Sequence, residues 1–271
     1  MTAQPPPLPK DPALFRALAR LGADRSAGMV PLTGGRTNHV WRLGPLVVKC
    51  YAPKRASPLF PNDPQAEVKA LRLFSPLGIA PRLLAAGESW LICDHFPDDG
   101  PKKPDGIARL LHLLHRQTPP KNSFRALPNG SSALLAHARS FAPDGLPPPP
   151  PDPHLPPVSP RPVHADAVLG NILSAPSGLL LIDWQCPGMG DPAEDLATLL
   201  SPSMMWLYTG QILGPDWVEA VLAAYPDAGT VQRTRALLPL YRWRIMAHCA
   251  WKAARGDGDY ARALQIERDS P

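Results

Sequence analysis

VHADAVLGNILSAPSGLLLIDW, residues 163–184, places oxygen-bearing side chains at defined intervals along the chain. Asp166 lies two residues after His164, Asn171 follows five residues later, and Asp183 comes twelve residues after that, at the end of an apolar run. Carboxylate and amide oxygens are the ligands that hard cations such as Mg²⁺ prefer. One loop can therefore supply a carboxylate base and an amide metal ligand, while a strand end supplies a second metal-binding carboxylate.

The spacing H-x-D-x-x-x-x-N is that of the catalytic loop of protein kinases. Phosphoryl transfer needs an acceptor oxygen held in line and charge neutralised on the phosphates, and little covalent help from the protein. The spacing predicts Asp166 as the base and Asn171 and Asp183 as metal ligands. The alternative is a structural turn with a capping Asp and a core His. For His164 itself, bracing of the loop is favoured over proton transfer.

The sequence before residue 95 predicts a small antiparallel sheet with one helix, preceded by a short amphipathic helix over 11–22. Asp63-Pro64 supplies a cap and a first-turn proline for the helix, which runs to about residue 75. The predicted strands are short apolar or alternating runs at 29–33, 38–43, 45–51 and 89–96.

Beyond residue 105 the apolar period is mainly helical, starting with Ile107, Leu110, Leu111 and Leu114. Later helices are predicted at 191–200 and 216–225, each with a capping box, and at 231–254 with a kink at Pro239. The proline-rich segment 147–157 is either a stiff connector, which is favoured, or a ligand for a proline-reading domain.

Composition limits the class of protein. The 271 residues are 44% apolar and 19% charged, so the chain can bury a core. Its net charge of +5 suits a polyanionic ligand such as a nucleotide, but no block of like charge indicates nucleic-acid binding. Four widely spaced cysteines, no secretory signal and no membrane-spanning run predict a cytoplasmic protein without a membrane partner. The oligomeric state stays open.

The sequence resembles the aminoglycoside phosphotransferase and choline kinase superfamily, the small-molecule relatives of protein kinases. The resemblance rests on LTGGRTN (32–38), VVK (47–49), HADAVLGN (164–171), LIDW (181–184) and GMGDPAEDLA (188–197). It implies an α+β, bilobal, protein-kinase-like fold with ATP between the lobes. The small antiparallel-sheet N-lobe would cover residues 1–95, and the larger, mainly helical C-lobe residues 96–271.

The resemblance also implies roles for further residues. Lys49 looks like the lysine that contacts the α- and β-phosphates, and Glu67 like its ion-pair partner. The alternatives are a surface lysine on an edge strand and a solvent-facing helix glutamate. Asp195 is expected to brace the catalytic region rather than react.

Nucleotide contacts are expected at two further places. Gly34-Gly35 resembles the loop that approaches the phosphates, although two glycines between strands are often only a hairpin turn. The resemblance also implies that the carbonyl of Asp94 and the N–H of Phe96 bind adenine, since they lie where the lobes of the family are connected. Ala165 departs from the family pattern, in which Gly or Asn is common, and Ala167 replaces a larger apolar residue.

The acceptor is suggested only by aromatic side chains, which are frequent from Trp184 onward. Aromatic faces attract soft cations by about 0.5–2 kcal/mol per ring, which favours a choline-, ethanolamine- or thiamine-like alcohol. The same rings could simply form helix core. Aminoglycosides and amino alcohols such as homoserine are alternative acceptors, and a catalytically silent nucleotide-binding or scaffold protein is the rival class. A protein Ser/Thr kinase is disfavoured, since D-W-Q replaces D-F-G at Asp183.

Overall fold

The computed structural model describes residues 10–23, 28–32 and 35–270. The chain divides into two compact units, Met1–Gly100 with Leu173–Cys186 and Pro101–Ile172 with Pro187–Pro271. The sequence predicted one division at residues 95–96. It did not predict that residues 173–186 belong to the first unit. The predicted α+β class is confirmed, since an antiparallel sheet dominates the first unit and helices dominate the second.

A five-stranded antiparallel sheet organises the first unit. The strands are β1 (Val30–Pro31), β2 (His39–Leu43), β3 (Leu46–Cys50), β4 (Leu83–Ala86) and β5 (Trp90–Asp94), and of these only β4 was not predicted. Their order in the sheet is β1-β2-β3-β5-β4. Lys49 lies on β3, opposite Val40 of β2 and Leu91 of β5, so it occupies an inner strand.

Aspartate caps begin both helices of the first unit. Asp63 accepts hydrogen bonds from the Gln65 and Ala66 N–H groups at 2.9 and 3.1 Å and begins α2 (Pro64–Phe74), which confirms the predicted cap. Asp11 caps α1 (Pro12–Arg20) and also accepts the Trp90 indole N–H at 2.7 Å. This indole bond ties α1 to the sheet, against which its buried leucines pack.

A two-stranded hairpin supplies the rest of the first unit. It consists of β8 (Ile172–Ala175) and β9 (Gly178–Leu181). The Leu181 N–H donates to the Ile79 carbonyl at 2.8 Å, which attaches the end of β9 to the turn that follows α2. The residues after β9, including Asp183, are thereby brought to the first unit.

The second unit is built around the long helix α8 (Ala228–Ala253), which contains Pro239. The other helices are α3 (Pro104–His115), α4 (Ser131–Arg139), α5 (Ala193–Leu200), α6 (Pro202–Thr209), α7 (Pro215–Ala224) and α9 (Gly258–Asp269). Apolar residues of α4, α5 and α8 share one buried core. A small sheet places β10 (Gly188–Gly190) between β6 (Arg125–Ala126) and β7 (Arg161–Val163).

Two predicted capping boxes are wrong in detail. Helix α7 begins after Gly214 without a side-chain cap, and Glu219 instead forms an ion pair with Arg235. At α5, the Asp191 carboxylate accepts the Ala193 N–H at 3.0 Å, but the Glu194 side chain bonds to Arg244 and does not complete the box. In both cases a distant arginine supplies a stronger partner than a backbone N–H.

The proline-rich segment 147–157 forms neither helix nor strand, as predicted. Its backbone is held at both ends within the second unit, since the Trp243 indole N–H donates to the Pro147 carbonyl at 2.9 Å and Arg233 donates to the Pro156 carbonyl at 2.8 Å. These bonds support the stiff-connector interpretation. Within the described part of the chain, no helix combines the length and the apolar character needed to cross a membrane.

Candidate active site

A buried ion cluster lies on the sheet of the first unit. The Lys49 ammonium contacts Glu67 Oε2 at 2.6 Å and also donates a hydrogen bond to Asp183 Oδ1. Lys49 is 5% exposed and Glu67 3%, so neither is the surface residue considered as an alternative. The structure therefore brings together Lys49, Glu67 and Asp183, which are far apart in sequence.

The charges of this cluster support one another. Burial alone would lower the pKa of Lys49, but the carboxylates of Asp183 and Glu67 together raise it above its ordinary value. Burial raises the pKa of Glu67, and the adjacent ammonium opposes that effect. Glu67 Oε2 also accepts the Tyr51 hydroxyl at 2.8 Å. Because the Lys49 ammonium and the Tyr51 hydroxyl both donate to this oxygen, the charged forms of Glu67 and Lys49 stabilise each other.

Asp183 differs from Lys49 and Glu67 in the solvent exposure of its side chain and in its backbone conformation. Its side chain is 24% exposed, so it can contact a ligand while it holds Lys49. Its φ of +63° is uncommon for a residue other than glycine. Such conformations persist only where the surrounding structure holds them, and they are concentrated at functional sites.

A network of buried amides holds the chain after Asp183, and the sequence did not predict it. Asn38 Nδ2 donates to Gln185 Oε1 at 2.7 Å and to Asn62 Oδ1 at 3.0 Å, while Asn38 Oδ1 accepts the Ala52 N–H at 2.9 Å. The Asp63 N–H donates to the Gln185 carbonyl at 2.9 Å. Asn38 ends the LTGGRTN stretch, so the network fixes the segment after the glycine turn to the segment after Asp183.

The other predicted nucleotide-binding residues are two glycines and the end of β5. Gly34 lies outside the described residues. A Cβ added to Gly35 would meet only the Asn38 carbonyl, at an ordinary 3.7 Å, so this position does not require glycine for space. Asp94 is the last residue of β5, where its carboxylate pairs with Arg82, and Phe96 follows two residues later, half-buried.

The loop that contains Asp166 lies in the second unit, between β7 and the short turn Leu169–Asn171. Asn171 Nδ2 donates to the Asp166 carbonyl at 2.9 Å and to Asp166 Oδ2 at 3.2 Å. The amide nitrogen therefore faces Asp166, which turns the amide oxygen of Asn171 away from it. The Asp166 N–H donates to His164 Nδ1 at 3.3 Å, consistent with the predicted bracing role of His164.

Asp195 braces this loop, as predicted. Its fully buried carboxylate accepts the His164 N–H at 2.8 Å and the Ala165 N–H at 2.7 Å. Ala165 has a φ of +64°, the left-handed region that glycine and asparagine enter most readily. This conformation accounts for the family preference for Gly or Asn at the position.

Many of the aromatic residues from Trp184 onward lie in the core. Trp184 packs on Phe74, with ring centroids 4.9 Å apart, and five of these aromatic side chains are at most 6% exposed: Trp184, Tyr225, Tyr241, Trp243 and Tyr260. Tyr208 of α6 is half-buried and lies against the loop that contains Asp166 and Asn171, as shown by the 2.9 Å at which a Cβ added to Gly170 would meet its ring. The structure thus brings an aromatic ring next to the loop that joins Asp166 to Asn171.

Comparison with known proteins identifies the family. Residues 28–237 match the phosphotransferase enzyme family. The chain belongs to this family. The phosphotransferase is 28% identical over 240 residues to a probable ketoamine kinase of Thermus thermophilus, covering 77% of this chain and 87% of that relative. It is 30% identical over 167 residues to a thiamine kinase of Shigella boydii, covering 51% of this chain and about half (56%) of that relative.

The fold of the phosphotransferase is similar to that of solved small-molecule kinases. A choline kinase from Streptococcus pneumoniae matches with a TM-score of 0.61 at 17% identity, over 95% of this chain and 98% of that chain. At this identity the likeness concerns the fold. Together with the family match, it confirms the predicted protein-kinase-like fold and the resemblance to aminoglycoside phosphotransferases and choline kinases.

Proposed function

We propose that this phosphotransferase transfers the γ-phosphoryl group of ATP, bound with Mg²⁺, to a hydroxyl group of a small molecule. The observation that carries the proposal is the buried Lys49 ammonium held by Glu67 and Asp183. A buried ammonium is costly to desolvate, and a buried ion pair is weak evidence for stability. A fixed positive charge beside a partly exposed carboxylate is instead suited to a phosphate chain and its cation.

The nucleotide side of the proposed reaction falls to the first unit. Lys49 contacts the α- and β-phosphates, and Glu67 fixes the ammonium. By their resemblance to the family, Gly34 and Gly35 approach the phosphates, and the backbone of Asp94 and Phe96 binds adenine.

The acceptor side falls to the second unit. Asp166 holds the acceptor hydroxyl by a hydrogen bond and takes up its proton at a carboxylate oxygen as the hydroxyl oxygen bonds to the γ-phosphorus. The ADP oxygen leaves with the electrons of the broken bond. Asn171 keeps Asp166 oriented through its amide nitrogen.

The proposed magnesium ligands are the carboxylate of Asp183 and the amide oxygen of Asn171. Among the described residues, no three His, Cys, Asp or Glu side chains are grouped to hold a metal. Mg²⁺ is commonly bound by one or two carboxylates together with waters and substrate phosphates, so this small donor set fits its chemistry. When bound, the ion would neutralise charge on the phosphates.

For the acceptor, we propose an alcohol with a cationic nitrogen, such as thiamine or choline. The half-buried ring of Tyr208 beside Gly170 supports this class, since an aromatic face attracts such cations. The similarity to a thiamine kinase favours the same class. The similarity to a probable ketoamine kinase covers more of the chain and makes a ketoamine the second candidate.

Product analysis with a panel of acceptors tests the proposal. Purified protein with Mg²⁺ and ATP is offered thiamine, choline, ethanolamine, a ketoamine, homoserine and kanamycin, and products are identified by mass spectrometry. We expect one acceptor to gain a phosphoryl group. Asp166→Asn should lower kcat by about 10²- to 10⁴-fold, the usual contribution of a general base. Asp105→Asn, which neutralises an exposed carboxylate of α3, is the matched control and should retain activity.

The outcomes separate the competing functions. ATP binding by calorimetry without a product from any acceptor would favour the catalytically silent nucleotide-binding protein. Absence of both binding and product would refute the proposal. For a cationic acceptor, Tyr208→Ala should raise the acceptor KM by about 2- to 30-fold and leave the ATP KM unchanged.

A further inference from the structure

Asp195 is the end of a longer hydrogen-bonded chain within the second unit. Its Oδ2 lies 3.0 Å from His115 Nε2, and His115 Nδ1 lies 2.7 Å from the Tyr225 hydroxyl. His115 ends α3, Asp195 lies in the first turn of α5, and Tyr225 follows α7. Side chains from three helices therefore converge on a carboxylate that binds the backbone of the catalytic loop.

The direction of these hydrogen bonds follows from their chemistry. A carboxylate oxygen accepts, so His115 Nε2 donates to Asp195 Oδ2. In the neutral tautomer with its proton on Nε2, Nδ1 then accepts from the Tyr225 hydroxyl. Asp195 thus receives hydrogen bonds from the His164 N–H, the Ala165 N–H and His115. Three donors compensate for the burial of the carboxylate and fix its plane.

The loop needs such a constraint because Ala165 is strained. A left-handed conformation is unfavourable for alanine, and relaxation of φ would redirect the next residue, Asp166. The Ala165 N–H bond to Asp195 opposes that relaxation only while the carboxylate keeps its orientation. His115 supplies the bond that sets this orientation, and Tyr225 fixes the His115 ring.

We propose that His115 and Tyr225 are positioning residues for phosphoryl transfer, acting through Asp195 to hold the loop in the conformation that presents Asp166. The inference rests on the proposed role of Asp166 as the base. Both residues lie outside the motifs that carry the family resemblance. Their effect is on the geometry of the acceptor side and not on ATP binding.

Three variants test the inference by steady-state kinetics. His115→Leu removes a hydrogen bond to a charged group and should lower kcat by about 10- to 100-fold. His115→Gln, whose amide can donate to Asp195, should recover part of this loss. Tyr225→Phe removes one neutral hydrogen bond and should lower kcat by about 2- to 10-fold. The ATP KM should stay at its wild-type value throughout. Tyr260→Phe, in a buried tyrosine of α9, is the matched control and should retain wild-type kcat.

Hydrogen exchange supplies a readout that does not depend on catalysis. The amides of His164 and Ala165 should exchange faster in His115→Leu and Tyr225→Phe than in wild type, while peptides from the first unit are unchanged. If kcat and exchange are both unchanged, or if thermal stability falls while kcat does not, positioning is wrong. If wild type phosphorylates no acceptor, the proposed function fails, and exchange alone then decides whether His115 and Tyr225 hold the loop.

Discussion

Replacement of Lys49 by methionine should separate the stability of the first unit from its activity. Methionine preserves much of the length of lysine but leaves the buried Glu67 without its ammonium partner. Glu67 would keep only the Tyr51 hydroxyl at 2.8 Å. Breaking a buried ion pair by removing one partner typically costs about 3–5 kcal/mol. This is a large fraction of the about 5–15 kcal/mol that stabilises most domains.

A second substitution, Glu67→Gln, should restore stability to the Lys49→Met variant but not its activity with ATP. In Lys49→Met with Glu67→Gln, the neutral amide still accepts the Tyr51 hydroxyl, so we expect to regain about 2 kcal/mol relative to the single variant. The positive charge that we propose binds phosphate is absent in both variants. Each should therefore lose about 10- to 100-fold or more in kcat/KM for ATP. Lys69→Met, on the exposed face of α2, is the control.

Urea unfolding and ATP kinetics measure the two effects. The raised pKa of Lys49 means that its ion-pair stabilisation is complete below the ordinary lysine pKa of 10.5 and is lost only above it, as pH rises through the folded-state value. Measurements near neutral pH therefore report the full effect. A single variant as stable as wild type would refute the buried pair. A double variant with normal ATP kinetics would refute the phosphate role.

Three further predictions concern the second unit. Burial, followed by the charges of Lys252 and Arg244, lowers the pKa of His248 to about 3, so between about pH 3 and pH 6.5 only the unfolded chain binds a proton at this residue. Stability should fall by about 2 kcal/mol between pH 7 and pH 5, and His248→Gln should reduce that slope in urea titrations; an equal slope would contradict the burial. Ala165→Gly should raise the free energy of unfolding by up to about 1 kcal/mol because glycine tolerates the positive φ, whereas a clear loss would argue against that conformation. Glu194→Leu should cost about 3–5 kcal/mol by stranding Arg244, and adding Arg244→Met should restore most of it; additive losses would contradict direct coupling.

Local signals in the sequence predicted the elements that are bounded by glycine turns or begin with a helix cap. The glycine turns around β2 and β3 and the Asp63-Pro64 cap of α2 act within a few residues, so their effects can be read without tertiary structure. Helix α9 was missed because its buried face includes Glu267. That carboxylate is satisfied by Arg242 and by Ser201, partners that are distant in sequence.

The contacts of the site are also partly local and partly distant in sequence. The spacing of Asp166 and Asn171 is local, and the structure joins these residues by a direct hydrogen bond. The contact of Lys49 with Asp183 spans 134 residues, and that of Asn38 with Gln185 spans 147. Spacing along the chain carries no information about such contacts. The resemblance to a known family suggested roles for Lys49 and Asp183 but none for Gln185.

Two buried ion pairs with similar chemistry have different surroundings, and the difference bears on which of them serves catalysis. Glu194 and Arg244 are both nearly inaccessible, so their ion pair joins α5 to α8 out of reach of a ligand. Lys49 and Glu67 are equally buried, but Asp183 is partly open to solvent. A closed pair has no means of exchanging a partner. A cluster with one accessible carboxylate can place its ammonium beside a ligand, and for this reason we propose phosphate binding for the Lys49 cluster and a structural role for Glu194 and Arg244.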